Sequence, residues 1–136
     1  MTAVTDPHAA PATGARPSIE CRPEPVVYAL VGHLPDGVQF AATVRESEGI
    51  TIVLDRDEAD RAGLAYDFVG AWLTVTARAG LETVGVTAVL SQALAQAGIA
   101  CQVLAGLFHE HLVVPWDQRH RALEVLDALE SWPERE

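Results

Sequence analysis

Two imidazoles flank a carboxylate in LFHEHLVVP (residues 107–115): His109, Glu110 and His111. On a β-strand, side chains two apart project to the same side of the sheet. This spacing could therefore present two nitrogen ligands to a metal, or two contacts to a small molecule. A zinc site needs three or four ligands. In a two-residue hairpin with the preceding strand, the residues opposite the histidines are Leu104 and Gln102, neither of them a good zinc ligand. A third ligand would have to come from His33, His120 or another subunit. Cys101 falls on the other face in that register, together with Glu110, so a Cys–His nucleophile would have to reach across the sheet.

The second group that could do chemistry is LETVGVTA (81–88), which reads as a helix start. Unpaired N–H groups and the positive end of the dipole attract a carboxylate there. Thr83 and Thr87 can add hydroxyls, and Gly85 lets a ligand approach the backbone. The bland reading is that Gly85 serves packing and the threonines only cap. The nucleophile-elbow, P-loop and dinucleotide motifs are absent. DRDEAD (55–60) lacks the central glycine and terminal glutamate of a calcium loop, so it reads as a solvated helix face. No catalytic constellation and no cofactor are expected.

These groups need elements to hold them. VVYALV (26–31) reads as a strand, ended by the turn chemistry of Pro35-Asp36-Gly37. VQFAATV (38–44) and ITIVLD (50–55) read as strands joined by the polar link RESEG, and DRDEADRAG (55–63) as a short helix. AYDFV (65–69) and WLTVTA (72–77) read as two further strands. From Ala79 to Gly106 the only charged residue is Glu82. Leu81, Val84, Val86, Ala88, Leu90, Ala93, Leu94 and Ala97 recur there at helical spacing, with Gly98 placed to cap the end. A helix apolar over so much of its circumference is expected to be buried on more than one side, which suggests a subunit interface. IACQVLA (99–105) and HEHLVVP (109–115) form a hairpin, and Pro115 ends it. Asp117 is placed to cap a last helix whose stripe is Ala122, Leu123, Leu126 and Leu129.

IVLDRDEADRA (52–62) echoes VVPWDQRHRA (113–122), strand into helix, so the chain reads as two related βαββαβ halves. The first half lacks its first helix and the second its last strand. Each would be incomplete alone, which predicts a shared sheet or an exchanged strand. The expected organisation is a disordered tail over 1–24, a first, degenerate unit over 25–69 and a second over 70–132. The tail assignment rests on five of the eight prolines falling within residues 1–25, with few large apolar residues.

Composition narrows the partners. The 136 residues are 49% apolar and carry a formal charge of −10, and the nine basic residues are scattered arginines. An acidic chain without a basic stripe repels nucleic acid and anionic membranes alike. There is no apolar stretch of spanning length, and the first residues do not resemble a signal peptide. A cytoplasmic protein with reduced Cys21 and Cys101 is expected.

AWLTV (71–75), VGVTA (84–88) and HEHLVVP (109–115), with PDG (35–37) and EGITIVL (48–54), resemble the motifs of small bacterial stand-alone ACT-domain proteins. The resemblance covers roughly residues 25–130. It implies an α+β protein of tandem ferredoxin-like units, with an antiparallel sheet and helices packed on one face, assembled as a homodimer. It also implies a small ligand, often an amino acid, bound where a unit's first strand leads into its first helix. The expected ligand-binding residues are Thr83, Gly85, Val86, Thr87, Gln102, His109 and His111. Ala79-Gly80 stands where the family tends to have serine, Gln102 where it often has asparagine, and Glu110 where it has aspartate. The expected function is a non-catalytic regulatory module for a small metabolite. The alternatives are an interaction homodimer without a ligand, or a histidine-based metal-binding protein.

Overall fold

A computed structural model describes residues 18–76 and 81–130. The strands are β1 (Ile19–Cys21), β2 (Val26–Val31), β3 (Ala42–Glu46), β4 (Gly49–Asp55), β5 (Val69–Val75), β6 (Gln102–Ala105) and β7 (Glu110–Pro115). The helices are α1 (Arg56–Arg61), α2 (Val86–Gln96) and α3 (Arg119–Asp127), with a 3-10 turn over Trp116–Gln118 ahead of α3. All strand pairings are antiparallel, in the order β3-β4-β2-β5-β7-β6.

The strand β5 is shared. Its first residues pair with β2 (Val69 with Val27, Gly70 with Val26), and its last pair with β1 (Leu73 with Cys21, Val75 with Ile19). Along its other edge it pairs with β7 from Gly70 to Val75. The N-terminal strand therefore occupies the edge where the second βαββαβ unit has no strand of its own, and β5 closes the sheet of the first. The incompleteness read from element order is resolved within one chain.

Five sequence expectations shift. Of the tail expected to be disordered, residues 1–17 lie outside the described residues, but order begins before Pro25. Ile19 and Cys21 alternate onto the helix side, and Thr76 N–H donates to the Ser18 carbonyl at 2.9 Å, so a very short segment suffices to seat β1. The strand expected at 38–44 starts later and runs through Arg45-Glu46, because the hairpin turns tightly at Ser47-Glu48 and Gly49 supplies φ 149°. AYDFV and WLTVTA are not two strands: only Val69 of the former joins β5. The apolar helix starts at Val86, because Gly85 takes φ 99° and breaks the path, leaving Leu81 and Val84 exposed. Asp117 makes no side-chain cap to α3, whose entry is the 3-10 turn instead.

The helix side of the sheet holds two apolar clusters. Ala71, Leu73, Val75, Leu112 and Val114 pack under Val86, Leu90, Leu94, Ala122 and Leu126, while Val27, Ala29, Ile52 and Leu54 pack with Ala59 of α1. The opposite side carries a third cluster, Val26, Val53, Trp72 and Val113. Each fully buried Val or Leu contributes about 1.5–3 kcal/mol. Central strands buried on both sides read as continuous apolar runs, which explains VVYALV and ITIVLD.

Gly70 is the tightest point of β5. A Cβ there would stand 2.6 Å from Val113 Cγ1 and 2.8 Å from Phe68 Cε1. Gly70→Ala is expected to destabilise the fold by about 1–3 kcal/mol through overpacking. Urea unfolding measures this, and a stability equal to that of the parent would contradict the packing described.

Candidate functional site

The α2 start lies at the end of the second unit where β5 finishes and β7 begins. Gly85 is the N-cap and offers no side-chain cap to the helix. The first N–H groups of α2 thus have no helical acceptor. Thr87 Oγ1 donates to Glu110 Oε1 at 2.6 Å, tying the first turn of α2 to the first residue of β7 and setting a carboxylate beside the positive helix end. Val86 is spent in the core with Leu90 and Leu94, so it can offer a ligand its backbone but not its side chain. Thr83 is half-buried in the segment leading into Gly85.

The sheet register separates the other expected residues. His111 stands between Thr74 and Leu104, and Gln102 lies opposite Val113. The register is shifted by two residues from that expected: His111, not His109, faces Leu104, and Gly106 N–H donates to the His109 carbonyl at 2.9 Å beyond the end of β7, closing the hairpin around Leu107 and Phe108. His111 and Gln102 project to the side of the sheet away from the helices, and Glu110 and Cys101 to the helix side. Thr83, Gly85, Val86, Thr87 and His109 gather at one end of the unit; Gln102 and His111 do not join them.

His111 is held by aromatic and hydroxyl groups. Its ring lies 4.9 Å from that of Trp72, and Trp72 Nε1 donates to His111 Nδ1 at 3.2 Å. An indole N–H can only donate, so Nδ1 accepts and the proton of the neutral ring is on Nε2. Thr74 Oγ1 stands 2.9 Å from the same nitrogen. Gly106 must be small here, since a Cβ would fall 3.2 Å from His111 Nε2. Burial first, and His109 second, hold the His111 imidazole below its ordinary 6.5. His109 Nδ1 is itself buried and has no partner among the described residues. Nothing in the sequence pattern announced the Trp72–His111 contact, but the register of WLTV against HEHL does once it is known.

The remaining chemistry is weak. Burial, and then Glu110, push the Cys101 thiol up, which disfavours a thiolate nucleophile, and the paired histidine is on the other face. Among the described residues no group of three His, Cys, Asp or Glu side chains is placed to hold a metal ion. No described helix is long and apolar enough to cross a membrane.

Two family models, each described as ACT domain, match in tandem, over residues 15–71 and 69–128. The chain belongs to the ACT-domain family. A Vibrio cholerae protein of unknown function, described as a possible transport protein, is 33% identical with a TM-score of 0.74, covering 82% of this chain and 88% of that one. An Agrobacterium tumefaciens protein is 17% identical with a TM-score of 0.69, covering 90% and 99%. The ligand-free regulatory subunit of aspartate kinase from Thermus thermophilus is 16% identical with a TM-score of 0.61, covering 83% and 97%, and shares the fold. No curated protein matches the chain. The tandem ACT domains overlap at Val69–Ala71, the start of the shared strand. ACT domains are regulatory, non-catalytic modules.

The lowered pKa of the His111 imidazole sets a pH response. Because its folded pKa is depressed, the unfolded chain takes up the proton first, so stability is full above pH 6.5 and is lost as pH falls through that value. Urea unfolding at pH 7.5 and 5.5 should show lower stability at the acid pH, and His111→Gln should remove part of that difference. An identical pH response in the variant would contradict it.

Proposed function

We propose that the chain is a non-catalytic ACT regulatory protein that binds a free amino acid at the start of α2 and acts as a cytoplasmic homodimer. The observation that carries this reading is the pairing of opposite polarities at that point. The uncapped N–H groups around Gly85–Thr87 favour a carboxylate, and the Glu110 carboxylate beside Thr87 favours an ammonium. Together they suit a zwitterion better than they suit a simple anion, for which Glu110 is repulsive. His109 precedes Glu110 in the chain, and its buried ring nitrogen has no hydrogen-bond partner among the described residues. Gln102 and His111 are assigned to the opposite side of the sheet and not to the ligand.

The likeness in fold to the regulatory subunit of aspartate kinase from Thermus thermophilus supports the regulatory half of the reading. Regulation follows by population shift: a ligand that prefers one arrangement of α2 and β7 favours it over others, and a partner protein responds to that arrangement.

A thermal-shift series against the free amino acids at millimolar concentration tests the proposal. A ligand at about 100 times its Kd should raise Tm by roughly 5–15 °C. Glu110→Gln should keep the fold but weaken binding by roughly tenfold, through the lost ammonium contact. No shift with any amino acid would refute the reading in favour of an interaction protein without a ligand.

A further inference from the structure

β1 is the least secured strand of the sheet. Its residues pair only with β5, far along the chain, and none of them is fully buried. The outer strands β3 and β6 also bury little, but hairpins at Ser47-Glu48 and Leu107-Phe108 tie each to its neighbour. No hairpin ties β1. Two clasps hold its ends instead. At one, Thr76 N–H donates to the Ser18 carbonyl at 2.9 Å and Ser18 N–H donates to Thr76 Oγ1 at 3.0 Å, with the two hydroxyl oxygens 2.5 Å apart. At the other, Arg22 N–H donates to the Trp72 carbonyl at 2.9 Å, and the guanidinium pairs with Asp55 at 2.8 Å. The first clasp is exposed and the ion pair only part-buried, so neither is strong.

What β1 holds is the end of β5 that meets the α2 start. Ile19 and Cys21 are half-buried against the cluster that contains Val75 of β5 and Val86 of α2. Val75 stands opposite Glu110, and Glu110 accepts the Thr87 hydroxyl in the first turn of α2. Withdrawing β1 uncovers this apolar cluster and unpins Thr76, one residue past Val75. It leaves β5 paired with β7 from Gly70 to Val75, so the rest of the sheet need not open. The link to β2 is stiffened by Pro23 and Pro25. Pro25 is buried, and its carbonyl accepts the Arg56 N–H at 3.0 Å. That anchor lies outside β1, and the first unit keeps it when β1 leaves.

We propose that β1 is a strap that opens by itself, with the rest of the fold intact, and that its opening loosens the α2 start. The N-terminal strand thereby sets how firmly that start is held. The strap does not depend on what the α2 start binds, so it stands or falls apart from the amino-acid reading.

Strand geometry supplies the test. Thr76 N–H faces β1, so by the two-residue period Thr74 N–H faces it too, while the N–H groups of Leu73 and Val75 face β7. Val89 N–H closes the first turn of α2 on the Gly85 carbonyl at 3.0 Å. Hydrogen exchange of the isotope-labelled full chain is followed by NMR over a series of urea concentrations below the unfolding transition. Thr74, Thr76 and Val89 should exchange together, at least about tenfold faster than Leu73 and Val75 and almost independently of urea, because little surface opens. Leu73 and Val75 should speed up steeply with urea, as groups released only by global unfolding do. Thr74 and Thr76 exchanging in step with Leu73 and Val75 overturns the strap. Val89 exchanging apart from the two threonines overturns its link to α2.

Discussion

The double engagement of β5 is the constraint on which the rest of the structure depends. Its seven residues pair with β2 and then β1 along one edge and with β7 along the other. Its side chains are buried on both sides, Trp72 on one and Ala71, Leu73 and Val75 on the other. Neither ACT unit can complete its sheet without this strand. The two units therefore share one core, and the α2 start is held in place by the strand that also closes the first unit. Gly70 is the cost of this arrangement, because Phe68 and Val113 crowd the position where a side chain would stand.

Much of this was legible in residue order. The strands VVYALV, ITIVLD and HEHLVVP, the helix ending at Gly98 and the last helix stripe follow from period and turn chemistry, and the missing helix and strand predicted a shared sheet. What was not legible depends on partners distant in sequence. Ile19–Cys21 is too short and too proline-flanked to read as a strand, and it exists because β5 offers it an edge. Leu81 and Val84 fit the apolar helical period, yet the left-handed Gly85 excludes them from α2. The helix start within LETVGVTA was legible because one backbone segment carries it. Strand period put Gln102 and His111 on one face and Glu110 on the other, as found, but which of those faces the helices cover depends on packing distant in sequence.

The two sides of the sheet have different chemistry for a physical reason. On the helix side, α2 brings an uncapped N-terminus against Glu110, so opposite polarities sit within one ligand's reach. On the other side, apolar and aromatic groups stand in rows with charge kept to the ends. His111 belongs to this second side, where Trp72 and Thr74 fix its neutral form. The two histidines that suggested metal binding in sequence stay near each other, since the charge of His109 acts on His111, whose ring lies against Trp72.

The central claim is that the α2 start takes the carboxylate of an amino acid and Glu110 its ammonium. The most direct measurement is a titration of isotope-labelled protein with free amino acids, followed by backbone amide chemical shifts. The account predicts saturable shifts confined to Gly85–Ala88 and the His109–His111 segment, abolished when the ligand's amino group is acetylated. Shifts centred on Trp72, Gln102 and Leu104, with none at Gly85–Ala88, would contradict it.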